Sequence, residues 1–535
     1  MGPLLLLALC LGLAAVPLGP AGPWAGPAPA QAQNGEARLR IAGSAPFTWD
    51  PAQAGDAGSA GMLAQAFEGL TAFDSDSRVQ PALAAAWDVQ ADGRRITFEL
   101  RDNLRYSDGS ELLAEHVVES WLRLIDPRAP SPLAGLLADV QGASDYQAGR
   151  IGPEGVGLRA DGRQVIVDLR RPAAFFLAVT ASPSLAVVPP QTRDRFQGPL
   201  LPPSMVVSGA YVPLAMGADP GLSGESIQLE ANPHYWAGPA PIDRIDVLTD
   251  LGGRSPVSVF QAGEVDYVPV ASFDASWARY DATLGPQLRQ TESFSVHYYG
   301  FDTRAEPFDD ARVRLAFAQA VDWQRIVELA RDVPAATSLV PVGIPGRGEE
   351  DFRPAHDPEA ARRLLAAAGY PGGDGFPEVP LISFGYGYEV TVATELEEVL
   401  GISVLVEILE FQHYIGLLDG DDRPAFWTLS WVADYPHAHD FLGLLLETGS
   451  SSNYGGWSNA DFDGAIEAAA AADEEDEQAT HYAAAQRILR EQVPVIPVEY
   501  GESWALSREG LLGALESGVG LIRYAGLDWS VEAGR

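Results

Sequence analysis

The stretch WVADYPHAHDFL, Trp431 to Leu442, sets Asp434 between Trp431 and Tyr435 and follows Pro436 with His437, His439 and Asp440. A carboxylate between aromatics suits a cleft wall partly shielded from water, where a fixed negative charge can pair with a cation. The other chemistry these residue types offer is metal ligation by His437, His439 and Asp440. Two histidines at i and i+2 need a further ligand that the sequence does not locate, so the stretch reads as a polar loop and no metal site is assigned. No Gly-x-Ser-x-Gly elbow, P-loop or His-Glu-x-x-His motif occurs, and no carboxylate pair stands out among the 73 acids for glycoside hydrolysis. Recognition, not catalysis, is expected, and no cofactor is called for.

Composition narrows the partners. The 535 residues carry a net charge of −38, from 73 acids against 35 bases, and every base is arginine. Such a field is a poor match for nucleic acid or anionic membrane. The first 32 residues carry no charge, and Leu4 to Val16 form an apolar run too short to cross a bilayer. They read as a signal peptide cut after Ala30-Gln31-Ala32, although the usual positive n-region is missing. Cys10, the single cysteine, would leave with it, so an exported mature chain beginning near Gln33 would rely on its core, not on disulfides. With 47% hydrophobic residues, about three domains are expected at roughly 100–200 residues each.

The elements that must position Asp434 follow from periodicity. Alternation predicts strands at Arg38–Ile41, Ile96–Arg101, Val165–Leu169, Ile227–Glu230 and Ile245–Leu248. The run Arg312–Ala330 has the helical period, with Val313, Phe317, Ala320 and Val321 on one face. Pro358–Ala368 starts with Asp357 as N-cap and stops at Gly369, and Phe462–Ala472 and Thr480–Glu491 are helices joined by an acidic, solvated run from Asp473. Interleaved strands and helices make the class mixed α/β.

Read in order, WDPAQAGDAGSAGMLAQAFEGL (Trp49–Leu70), the block from Pro81 to Pro127, SGAYVPL (Ser208–Leu214), LEANPHYW (Leu229–Trp236), FQAGEVDY (Phe260–Tyr267), PFDDARVRLAFAQAVD (Pro307–Asp322) and ARRLLAAAGYP (Ala361–Pro371) resemble the large solute-binding proteins of peptide ABC importers. WVADYPHAHDFL then falls where that family has Trp-x-x-Asp-Tyr. The resemblance implies a two-lobed periplasmic-binding-protein fold of class II, hinge-linked, with an additional third domain. Lobe one would comprise Gln33–Phe67, Leu185–Phe294 and Gly501–Arg535, the additional domain Glu68–Ser184, and lobe two Ser295–Tyr500. The chain would be a periplasmic monomer that binds a short peptide and delivers it to a membrane permease.

By the same resemblance, Asp434 pairs with the ligand's α-amino group and Trp431 walls a pocket. Ligand backbone would pair with strands that include Ser430–Val432 on lobe two and Gly55, Asp56 and Ala57 on lobe one. Of two arginines that help with the carboxylate end in the family's enteric member, the nearer is Thr428 here and the farther falls in a region reading LLDGDDRP, leaving Arg423, His413 or water as substitutes. Two other readings stay open: the same fold holding a metal chelate, a sugar or an opine, and a secreted hydrolase.

Overall fold

The computed structural model describes residues 37–530 except 130, 174, 194–195, 197–204, 218–224, 331–332, 334, 348–349, 421–422 and 473. The signal segment with Cys10, the cleavage site and Asp473 lie outside the described residues.

Ten strands form the central sheet: β1 (Arg38–Ala42), β2 (Tyr211–Gly217), β3 (Ser226–Ala231), β4 (Arg244–Leu248), β5 (Tyr267–Val270), β6 (Leu288–Phe301), β7 (Val379–Ser383), β8 (Val404–Ile408), β9 (Phe426–Val432) and β10 (Val495–Ser507). Their spatial order is β8-β7-β9-β6-β10-β5-β1-β4-β3-β2. β1 lies parallel to β4 and β5, and β7 lies parallel to β8 and β9, while the remaining pairs are antiparallel. The class is mixed α/β, as the interleaved periodicities require.

Two long strands tie the halves of this sheet together. Leu288–Glu292 of β6 pairs with Glu502–Leu506 of β10, on the side where β10 also meets β5. After a register break, Val296–Gly300 pairs with Tyr500–Val495, on the side where β6 also meets β9. At the break a Cβ on Gly501 would lie 2.0 Å from Ser295 Oγ, so any larger residue would have to displace that hydroxyl. Interrupted pairing at one level of both strands is where a sheet can flex with least loss of hydrogen bonds.

A separate four-stranded antiparallel sheet, ordered Ala84–Val89, Arg95–Leu100, Gln164–Asp168, Leu158–Asp161, lies in the segment between β1 and β2. Ile96, Phe98, Leu100, Val165 and Val167 point into its core, which the helix Ala114–Leu124 closes with Val117, Trp121 and Leu124. Each such side chain removed from water contributes about 1.5–3 kcal/mol.

The five predicted strands are present within a residue or two of their expected ends. One helix is corrected: Arg312–Ala330 is two helices, Ala311–Ala320 and Trp323–Ala330, with Val321 extended between them at φ −101° and ψ 134°. The reason is local, because the Asp322 side chain accepts from the Arg325 amide at 3.1 Å and caps the second helix. The apolar face survives the break, since Val313, Phe317, Ala320 and Val321 are all buried. The helix Pro358–Ala367 carries its Asp357 cap, which accepts from Ala360 N at 2.8 Å. The acidic run, expected to join two helices, instead opens the second, which spans Glu475–Gln492. Carboxylates there complement the positive end of the helix dipole, and Arg314, buried at the other end, donates to the Gln492 and Val493 carbonyls.

Candidate ligand-binding site

The motif around Asp434 is a strand, a turn and a helix. β9 carries it as far as Val432, the turn runs from Ala433 to Pro436, and the helix Ala438–Leu446 begins after His437, whose Nδ1 accepts from the His439 amide at 3.2 Å. Ala433 N donates to Phe294 O at 2.8 Å, which fixes the turn against the register break in β6.

A cavity of ≈ 270 Å³ opens beside this turn, and its lining brings together Gly55, Asp56, Ala57, Ser430, Trp431, Val432 and Asp434. All seven residues singled out in the sequence therefore share one wall system. The part of β9 from Leu429 to Val432 has one strand neighbour only, because β7 pairs with β9 no further than Trp427. An unpaired edge of that kind can accept an extended ligand backbone. Ser430 is held for the task by Tyr386, whose hydroxyl donates to its Oγ at 2.7 Å.

The other side is corrected. Gly55–Ala57 is no strand: Asp56 is the N-cap of the helix Ala57–Ala66, and its carboxylate accepts from Ser59 N at 2.8 Å. An Asp followed three residues later by Ser, before an apolar run, satisfies the helix amide locally and takes the segment out of sheet pairing. Gly55 packs against Pro132, with 2.9 Å from a notional Cβ to Pro132 Cβ, so its lack of a side chain keeps the cavity edge closed.

Electrostatically the site is unusual. Asp434 is half-buried, and burial pushes its carboxyl up to about 7. Asp440 is fully buried and is driven well above the ordinary carboxylate range by burial first and by the nearby Asp434 second. Trp431 Nε1–H donates to Asp440 Oδ2 at 2.7 Å, and the backbone amides of Tyr435 and Asp434 offset the rise only in part. Two carboxyls in a shielded turn cannot both ionise cheaply without a cation.

His437, His439 and Asp440 go to separate tasks. Tyr435 Oη and His439 Nδ1 lie 2.8 Å apart, and Arg171 Nη2 lies 3.2 Å from His439 Nε2. Arginine has no acceptor, so Nε2 accepts and Nδ1 carries the proton; burial, with Arg171 second, holds the ring neutral. Arg171 also pairs with Asp139 at 2.6 Å and Glu447 at 3.1 Å, and Phe175 stacks on His439 at 4.0 Å. Phe47 stacks on Phe411 at 6.0 Å. These contacts join chain preceding the β6 break to chain following it, which makes the arrangement a closed one.

Sequence reasoning missed the aromatic wall of Phe384, Phe411 and Tyr454 and the C-terminal Val519–Leu521, which also line the cavity. No motif marks them; they arrive from distant segments. Thr428 is fully buried, with Oγ1 2.7 Å from His297 Nε2, and does not reach the cavity. Neither Arg423 nor His413 lines it: His413 is exposed, and Arg423 donates to the Tyr454 carbonyl at 3.4 Å behind the wall.

The family model for bacterial extracellular solute-binding proteins, family 5, matches residues 78–453. The chain belongs to that family. Membership places it among binding proteins that work outside the cytoplasm, and several relatives are named as periplasmic. It is 30% identical over 477 residues to the probable deoxycholate-binding periplasmic protein of Escherichia coli K12, covering 85% of this chain and 86% of that one. It is 27% identical over 501 residues to the periplasmic oligopeptide-binding protein of Salmonella typhimurium, covering 89% of each. Its fold is similar to that of the Escherichia coli murein tripeptide binding protein, at a TM-score of 0.83 and 24% identity over 93% of this chain and 99% of that one. The unliganded open form of the murein tripeptide binding protein gives 0.66, at 24% identity over 93% and 98%. Among the described residues, no helix is long and apolar enough to cross a membrane.

Proposed function

We propose that the chain is the extracytoplasmic substrate-binding component of an ABC importer, holding a short peptide between two lobes and passing it to a membrane permease. The carrying observation is Asp434: a half-buried carboxylate with a raised pKa, on the cavity wall, beside an unpaired strand edge. An α-ammonium placed there supplies the counter-charge that burial lacks, and a charge-assisted hydrogen bond fixes the ligand's orientation. The strand edge adds affinity without reading side chains. Lobe one is taken as Gln33–Phe67, Leu185–Phe294 and Gly501–Arg535, the additional domain as Glu68–Ser184 and lobe two as Ser295–Tyr500, with the hinge at the paired register break. The protein acts as a monomer, binds no nucleic acid and releases its ligand chemically unchanged.

Calorimetry with a free peptide and its N-acetylated form tests this reading. Acetylation should cost at least tenfold in affinity, and the free peptide should be recovered intact by mass spectrometry. Equal binding, or a hydrolysed peptide, would overturn it. A second reading, a non-peptide solute in the same cleft, is supported by the deoxycholate-binding name of the relative at 30% identity and by the apolar lining. The carboxylate of such a solute would meet Asp434, so competition of deoxycholate with peptide distinguishes the two.

A further inference from the structure

Resting on the amine-anchoring role given to Asp434, we infer that the site selects a ligand whose ammonium is its only charge inside the cavity: a small amine with an apolar body and an uncharged far end, such as an amidated dipeptide. Three observations converge on this class. The charged side chains lining the cavity are both carboxylates, Asp434 and Asp56, and among the described residues no arginine or histidine lines it. Its walls elsewhere are largely apolar, with Leu133, Phe384, Phe411, Ile415, Leu429 and Trp431 in contact with the space.

The third observation is size. At ≈ 270 Å³ the cavity falls at the small end of small-molecule sites, which run from about 300 to 1,000 Å³. Two extended residues span at most about 7 Å, so the carboxylate of a dipeptide anchored at Asp434 stays within the same enclosed space. There it would lose water and face carboxylates instead of a guanidinium, and the positive N-terminus of the helix Ala57–Ala66 on that wall is already capped by the Asp56 carboxylate. An amide or other neutral polar end meets hydroxyls such as Ser430 and Ser182 without that penalty.

Arg423 supplies a built-in control. It donates to the Tyr454 carbonyl at 3.4 Å, and among the described residues its buried Nε has no partner, so a turn of that wall would bring it to a ligand carboxylate.

Isothermal titration at pH 7.5 with Leu-Phe, Leu-Phe-amide and acetyl-Leu-Phe-amide tests the inference on the wild-type protein and on Arg423→Gln. The expected result is that the amide binds at least tenfold more tightly than the acid in both proteins. Acid binding as tight as or tighter than amide overturns the inference while leaving the amine anchor standing; loss of that acid binding in Arg423→Gln would show the arginine to be the carboxylate partner. Acetylated amide binding like free amide would instead sink the amine anchor itself. Failure of both free compounds to bind at millimolar concentration would overturn the assigned size and charge together.

Discussion

The pH dependence of amine binding follows from Asp434, with the buried Asp440 beside it. Burial pushes the Asp434 carboxyl up to about 7 by penalising its charged form. An ammonium is bound by the ionised form, so binding must first remove the proton wherever the carboxyl holds one. By the usual titration relation, about 1% of sites are ionised at pH 5, half at pH 7 and roughly 90% at pH 8. Affinity should therefore fall roughly 40-fold from pH 7 to pH 5, or ~2.2 kcal/mol, approaching tenfold per unit below about 6. Above pH ~8 a peptide's own amine loses its proton, so affinity should peak between about 7 and 8. The sign for stability is opposite to that of an ordinary paired aspartate. The folded pKa lies above the unfolded one, so between about 4 and 7 the folded state holds more protons, and rising pH through that window removes stability that ligand restores. Calorimetry in buffers of different ionisation enthalpy reads the proton change on binding, which should approach one released per ligand below pH 6, pass through zero between about pH 7 and 8, and turn to uptake above pH 8, where the free amine must regain its proton to bind. A flat affinity from pH 5 to 7.5 with no proton release would refute the reasoning.

Three further outcomes are expected. Asp434→Asn should lose about 30-fold to several thousand-fold in affinity and its pH dependence below 7, while melting at or above wild type without ligand at pH 8; exposed Glu477→Gln should change neither, which differential scanning fluorimetry and calorimetry check together. Arg171→Gln leaves Asp139 and Glu447 to the more exposed Arg170 alone, so it should raise the scattering radius of the liganded protein and weaken binding about tenfold, since one broken buried pair costs about 3–5 kcal/mol. Phe98→Ala, in the core of the four-stranded sheet, should destabilise that unit by about 3–5 kcal/mol in denaturant titration with little effect on ligand affinity at low denaturant.

What was legible in the sequence was local. Alternation such as Ile96-Thr97-Phe98-Glu99-Leu100 needs no partner to be read, and Asp357-Pro358 announces a helix start by capping chemistry alone. The same chemistry misled where it was overlooked: Asp322 caps a second helix inside a continuous apolar period, and Asp56 caps the helix that displaces an expected strand at Gly55–Ala57. Asp434 was legible as a shielded charge because aromatics flank it. Its coupling to Asp440 was not, since the helix that follows Pro436 must fold back before the two carboxyls meet. The cavity wall from Phe384, Phe411 and Val519 depends on tertiary assembly of segments 27 and 108 residues apart, and no spacing rule could have found it.

Mass spectrometry of the compound released when protein purified from its native host is denatured tests the central claim most directly. The account predicts a small molecule bearing a primary amine, absent from protein carrying Asp434→Asn. An anionic ligand without an amine, retained equally by the variant, would contradict it.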